Sequence, residues 1–84
     1  MQKDKCDDMK IKVGRAIRGF RRALGLNQRE FADLFNESPP KCLKVRQGDI
    51  SRYENGVINC PADKFLKFRD LVRKSIRALS VRRG

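Results

Sequence analysis

The stretch Gln47-Gly48-Asp49-Ile50-Ser51-Arg52-Tyr53-Glu54-Asn55-Gly56 constrains this chain more than any other. Ile50 and Tyr53 are three apart and share one side of a helix, while Gln47, Ser51, Arg52 and Asn55 fall on the other. Gly56 ends that helix, because glycine takes the left-handed conformation past a helix end without a Cβ penalty. The outward side thus carries amide, hydroxyl and guanidinium groups, a hydrogen-bonding surface rather than a plain charged one. Arginine and glutamine have the planar donor and acceptor geometry that reads base edges in a DNA major groove. Two readings fit this segment alone: a recognition helix, or a solvated helix face.

The flanking sequence is helical in pattern throughout. Residues 1–10 are polar with alternating charge signs and read as a frayed lead-in, with Asp7 or Asp8 placed to cap the first helix. From residue 9 to 24, Val13, Ile17, Phe20 and Leu24 recur on one helical face among the arginines at 15, 18, 21 and 22. Gly14 and Gly19 weaken this helix by roughly 1 kcal/mol each and admit a close neighbour. Leu24-Gly25-Leu26 is a stop, and Asn27 with Glu30 makes a capping-box start for a second helix. Phe31, Leu34 and Phe35 form its stripe, beside the small Ala32. Its end is expected near Asn36, a residue that tolerates the left-handed conformation. Two short helices in sequence, the second bearing the polar outward face, form a helix-turn-helix pattern.

Between the two lies an insertion, residues 37–44, whose Pro39-Pro40 forbids continuing the helix. Ser38 can cap a new short turn there. Leu43 and Val45 are expected to be buried. Lys41 and Lys44 fit either phosphate contacts or a solvated loop. After the loop 57–60, Pro61 is placed at the first position of a further helix. Phe65, Phe68, Leu71 or Val72, Ile76 and Leu79 then mark one long helix to about Ser80, or two broken near Ser75. The apolar stripe from Val72 to Val81 exceeds what a small monomer buries, which suits a dimer contact. The sequence predicts an all-α fold of five helices.

A formal charge of +11 over 84 residues predicts attraction to polyanions, nucleic acid first and an anionic membrane surface second. The lead-in is net zero, residues 11–66 are net +5 and residues 67–84 net +6. Histidine is absent, and Cys6, Cys42 and Cys60 are odd in number and widely spaced. That excludes ordinary structural zinc sites, histidine-dependent catalysis and a disulfide framework. Free thiols in a reducing cytoplasm fit instead. Cys42 and Cys60 each read as a small buried filler before an oxidation sensor. No catalytic triad, metal cluster or phosphate-binding glycine loop can be assembled, so neither an enzyme nor a cofactor is expected. No apolar run is long enough to span a membrane, and no signal-peptide pattern appears.

Two separated motifs, Leu24-Gly25-Leu26-Asn27-Gln28-Arg29-Glu30-Phe31-Ala32 and Ile50-Ser51-Arg52-Tyr53-Glu54-Asn55-Gly56 followed by a proline, resemble the Cro/repressor-like (Xre-type) helix-turn-helix family. The resemblance spans residues 11–72 and leaves 73–84 as a basic C-terminal helix or tail. It implies a five-helix, lambda-repressor-like DNA-binding domain, usually dimeric; the surplus apolar stripe puts the expected homodimer contact on the C-terminal helix. By that resemblance Gln28 clasps a backbone phosphate with Asn27 assisting, and Asn55 holds phosphate at the recognition helix's end. Gln47, Gly48, Ser51 and Arg52 match the base-reading positions. Arg46, Lys41 and Lys44 are phosphate candidates by their charge and place rather than by the resemblance, which matches Arg21 to an arginine that pairs with the glutamate at Glu54. A guanidinium–carboxylate pair of that kind can be bidentate. Members of the family join the alanine at Ala32 to the valine at Val45 by a tight turn, and the insertion 37–44 departs from that. Gly48 departs too, leaving one base-reading position without a side chain.

The leading expectation is a cytoplasmic, sequence-specific binder of double-stranded DNA that regulates transcription, repressor-like in character. The alternative is a protein-interaction module on the same fold, such as an antitoxin whose C-terminal segment wraps a toxin, or a co-regulator's partner. A third reading makes residues 67–83 a membrane-surface helix. Its basic residues are spread around the helix and tryptophan is absent, which argues against it.

Overall fold

The computed structural model describes the backbone of residues 5–83 and the side chains of residues 8–75. Among them are four helices and no strand: α1 (Lys5–Ala23), α2 (Gln28–Glu37), α3 (Gln47–Glu54) and α4 (Ala62–Arg83). The all-α class holds, but the expected fifth helix is missing among the described residues. α4 runs through Ser75 without a break, because neither glycine nor proline interrupts it after Pro61. α1 starts at Lys5, so residues 5–10 are helix rather than a frayed lead-in, and Asp7 and Asp8 lie inside its opening turns instead of ahead of them. Acidic groups there favour the positive end of the helix dipole, which lets a polar segment join the helix. No described helix is long and apolar enough to cross a membrane.

Both glycine stops form as the sequence demands. Gly25 has φ +71°, with its N–H on Arg22 O at 3.0 Å and the Leu26 N–H on Arg21 O at 3.2 Å. Gly56 has φ +70°, with its N–H on Tyr53 O at 3.1 Å and the Val57 N–H on Arg52 O at 2.9 Å. These are two Schellman motifs, each turning the chain sharply at the end of a helix. Gly14 serves a different need. A Cβ there would run into the backbone carbonyl of Tyr53 and crowd that of Glu54, so α1 touches the end of α3 only because position 14 has no side chain. Gly14→Ala improves helix propensity but overfills this contact against backbone that cannot swing away. It is expected to cost about 1–3 kcal/mol. Thermal unfolding checks this, and an unchanged or raised midpoint would refute it.

α2 opens on the expected capping box: Asn27 Oδ1 accepts the Glu30 N–H at 2.8 Å, and Glu30 Oε1 accepts the Asn27 N–H at 2.9 Å. It ends at Glu37, close to the expected end near Asn36, but Asn36 does not take the left-handed conformation. That residue is helical, and its amide pairs with Val45 in both directions, donating to Val45 O and accepting from Val45 N–H at 2.8 Å each. The side chain mimics a neighbouring strand and closes the base of the insertion. Ser38 closes α2 instead of starting a new turn, its N–H reaching Phe35 O and its hydroxyl Leu34 O. Pro61 stands just ahead of α4, its carbonyl accepting the Phe65 N–H at 2.9 Å.

The tip of the insertion is a turn closed by the Leu43 N–H on Pro40 O. Lys67, from α4, reaches beneath it. Its Nζ donates to Pro40 O at 2.7 Å and Leu43 O at 3.2 Å and lies 4.2 Å from the centre of the Phe35 ring. Burial lowers the affinity of this ammonium for its proton, and two carbonyls with an aromatic face compensate for the lost water. Of the two residues expected to be buried here, Val45 is in the core, while Leu43 is half-buried against it.

The core joins Ile17 of α1, Phe31, Ala32 and Phe35 of α2, Ile50 and Tyr53 of α3, and Phe68 and Leu71 of α4, with Val45 between α2 and α3. Phe68 is its hub. Its ring centre lies 4.5 Å from Phe35, 4.9 Å from Phe31 and 6.5 Å from Tyr53. Cys60 packs against this cluster, and burial pushes its thiol up to about 12. Cys42 is exposed, so the filler reading fails for it. Val72 is buried, whereas the side chains of Ile76, Leu79 and Val81 in the expected dimer stripe lie outside the described residues.

Candidate nucleic-acid interface

α3 is seated by Ile50 and Tyr53, both inside the core, and this turns its opposite side outward. Gln47, Gly48, Arg52 and Asn55 are exposed and Ser51 is half-buried, as the helical spacing requires. Nothing within 4 Å would meet a Cβ on Gly48, and its φ is not positive. Neither packing nor backbone conformation therefore requires glycine at that position.

The inner end of α3 is held by a cluster of opposite charges. The Glu54 side chain is fully buried and that of Arg21 is 17% exposed. Arg21 donates twice, Nε to Oε2 at 2.7 Å and Nη2 to Oε1 at 3.1 Å, which is the bidentate pair expected from the resemblance. Its Nη1 donates to Leu26 O at 3.0 Å, so one guanidinium ties α1, the α1–α2 turn and α3 together. Gln28 Nε2 at 3.2 Å and Arg18 Nε at 3.4 Å also reach Glu54 Oε1. Burial works to raise the Glu54 carboxyl. The hydrogen bonds from Arg21, Gln28 and Arg18 outweigh it and hold the group below its ordinary value. One carboxylate is thus met by two guanidinium groups, and the cluster is net cationic.

The residues that the resemblance assigns to phosphate are in part already engaged. Asn27 Oδ1 caps α2. Gln28 gives one N–H to Glu54, and its amide carries a second. Asn55 Nδ2 donates to Ser51 O at 2.8 Å, and its Oδ1 accepts from Arg18 Nη2 at 3.5 Å. Lys41, Lys44 and Arg46 are exposed. The first two sit on an insertion anchored by Lys67 at its tip and by Asn36 at its base.

Sequence reasoning missed Arg18, Lys67, Asn36 and Asp49. Asp49 Oδ2 accepts the Arg46 N–H at 3.1 Å, closing the first turn of α3, and Oδ1 accepts from Arg52 Nη1 at 3.4 Å. The three-residue spacing of Asp49 and Arg52 was the available signal, since residues three apart are neighbours on a helix surface. No protein-family model, curated protein or solved structure matches this chain.

Proposed function

We propose that this chain is a lambda-repressor-like helix-turn-helix domain that binds double-stranded DNA sequence-specifically and regulates transcription as a homodimer. The observation that carries the reading is the outward face of α3. Gln47, Gly48 and Arg52 are exposed on one short helix, with Asn55 at its cap, and the core residues of α1, α2 and α4 pack against its other side. That face belongs to a chain of charge +11, and the glutamate at its inner end is buried and neutralised. Asn27, Gln28, Lys41, Lys44, Arg46 and Asn55 position the domain on phosphates. Gln47 and Arg52 read bases, Arg52 a guanine through its O6 and N7.

The test is selection from a randomised pool of duplex DNA, followed by Arg52→Ala on the selected site. That substitution is expected to remove about 1–3 kcal/mol of discrimination at one base pair. Affinity for a scrambled duplex falls far less. Equal loss on both duplexes would remove Arg52 from base reading.

A further inference from the structure

We propose that Asp49 is a positioning residue for Arg52, fixing the guanidinium in the pose that reads its base. The inference rests on the DNA-reading role of α3. Of the two acidic residues on this helix, Glu54 is buried against Arg21 and cannot face a ligand, whereas Asp49 is partly exposed on the first turn. A carboxylate at the edge of a surface that meets a polyanion repels it, so its presence needs an offsetting role.

Two contacts supply one. Oδ2 takes the Arg46 N–H, which anchors the carboxylate to the start of the helix. Oδ1 faces Arg52 Nη1 at 3.4 Å across one turn. The Arg52 side chain is 58% exposed and is otherwise a long, freely rotating group whose ordering on binding would weaken recognition. An anchored partner reduces that cost. Asp49 engages Nη1 alone, so the edge formed by Nε and Nη2 stays open to make two parallel bonds to guanine. Side chains on a helix lean toward its N-terminus. Arg52 therefore extends over the turn where Gly48 leaves the surface clear.

The experiment compares the full chain with Asp49→Ala, Asp49→Asn, Arg52→Ala and the Asp49→Ala/Arg52→Ala double variant. Each is measured on the duplex selected by the unsubstituted protein, on its single base-pair variants and on a scrambled duplex. Asparagine keeps an acceptor for the Arg46 N–H, so that variant reports even if alanine at 49 impairs folding. Both Asp49 variants are expected to bind the scrambled duplex more tightly, because a negative charge is removed. Discrimination falls about two- to tenfold, the lower part of the range of coupling between touching groups, and only at the base pair that Arg52→Ala makes indifferent. The double variant discriminates no worse than Arg52→Ala.

Intact discrimination in both Asp49 variants would overturn the proposal. So would a loss in the double variant that adds to that of Arg52→Ala, because Asp49 would then read a base itself. If the unsubstituted protein selects no sequence at all, the DNA-reading role falls and this inference with it. A selected site that Asp49 variants read normally removes the inference alone.

Discussion

Arg21→Met is expected to destabilise the domain by on the order of 3–5 kcal/mol, because it leaves a buried carboxylate without its main partner. The Glu54 side chain has no exposed surface, and Arg21 supplies both of its short charge-assisted bonds, at 2.7 and 3.1 Å. Gln28 and Arg18 remain, at 3.2 and 3.4 Å, but each reaches only Oε1. The pH dependence distinguishes this cause from lost packing. In the native protein Glu54 is held below its ordinary value of 4.5, so its contribution is complete above that value and is lost as pH falls through the folded one. Without Arg21 the carboxyl loses its main hydrogen-bond partner while burial still works to raise it, so its folded value moves up. The variant then loses less stability than the native protein as pH falls through the acidic range, a shallower slope. Chemical denaturation at several pH values measures both effects. Equal stability at neutral pH, or an unchanged slope, would remove the pair from the structural frame.

Phe68→Ala is expected to cost about 3–5 kcal/mol through lost burial and the cavity left behind. The ring is fully buried and touches Phe31 and Phe35 of α2 and Tyr53 of α3. Three elements lose their common support at once, so little of the cavity can close. A domain of this size has roughly 0.05–0.15 kcal/mol of stability per residue, so the loss consumes much of the total. Since Phe68 braces α2 and α3 together, DNA binding is expected to fall with stability. Phe68→Leu keeps much of the volume and is expected to recover part of both. A Phe68→Ala variant that melts within a few degrees of the unsubstituted protein would show that the core is organised elsewhere.

What the sequence makes legible here is local. The stripe of Val13, Ile17, Phe20 and Leu24, the Asn27–Glu30 capping box, and the glycines at 25 and 56 each act within a few residues, and each is found where its pattern places it. The inward and outward sides of α3 follow from helical spacing alone. The Arg21–Glu54 pair came from resemblance, since nothing local connects residues so far apart in the chain.

What stayed hidden depends on partners distant in sequence. Asn36 looks like a helix terminator by type, and its bonds to Val45 exist only once the insertion folds back. Lys67 reads as one more solvated charge until the carbonyls of Pro40 and Leu43 arrive above it. Its place four residues before Leu71, on the flank of the apolar stripe, was the one hint. Of the two alternatives for the C-terminal segment, the single long helix is the one found: the weak helix propensity of Ser75 alone does not break it. The polarity of residues 5–10 suggests a frayed lead-in, yet the segment continues α1 from Lys5.

Selection of bound duplexes from a randomised pool, with a salt titration on the winner and on a scrambled duplex, tests the DNA-reading role most directly. The expected result is one enriched palindromic site with half-sites about one helical turn apart. Its affinity falls with salt at roughly −0.9 in log–log slope for each phosphate contacted. If no sequence enriches and both duplexes bind with the same affinity and slope, α3 does not read bases and the proposed function is wrong.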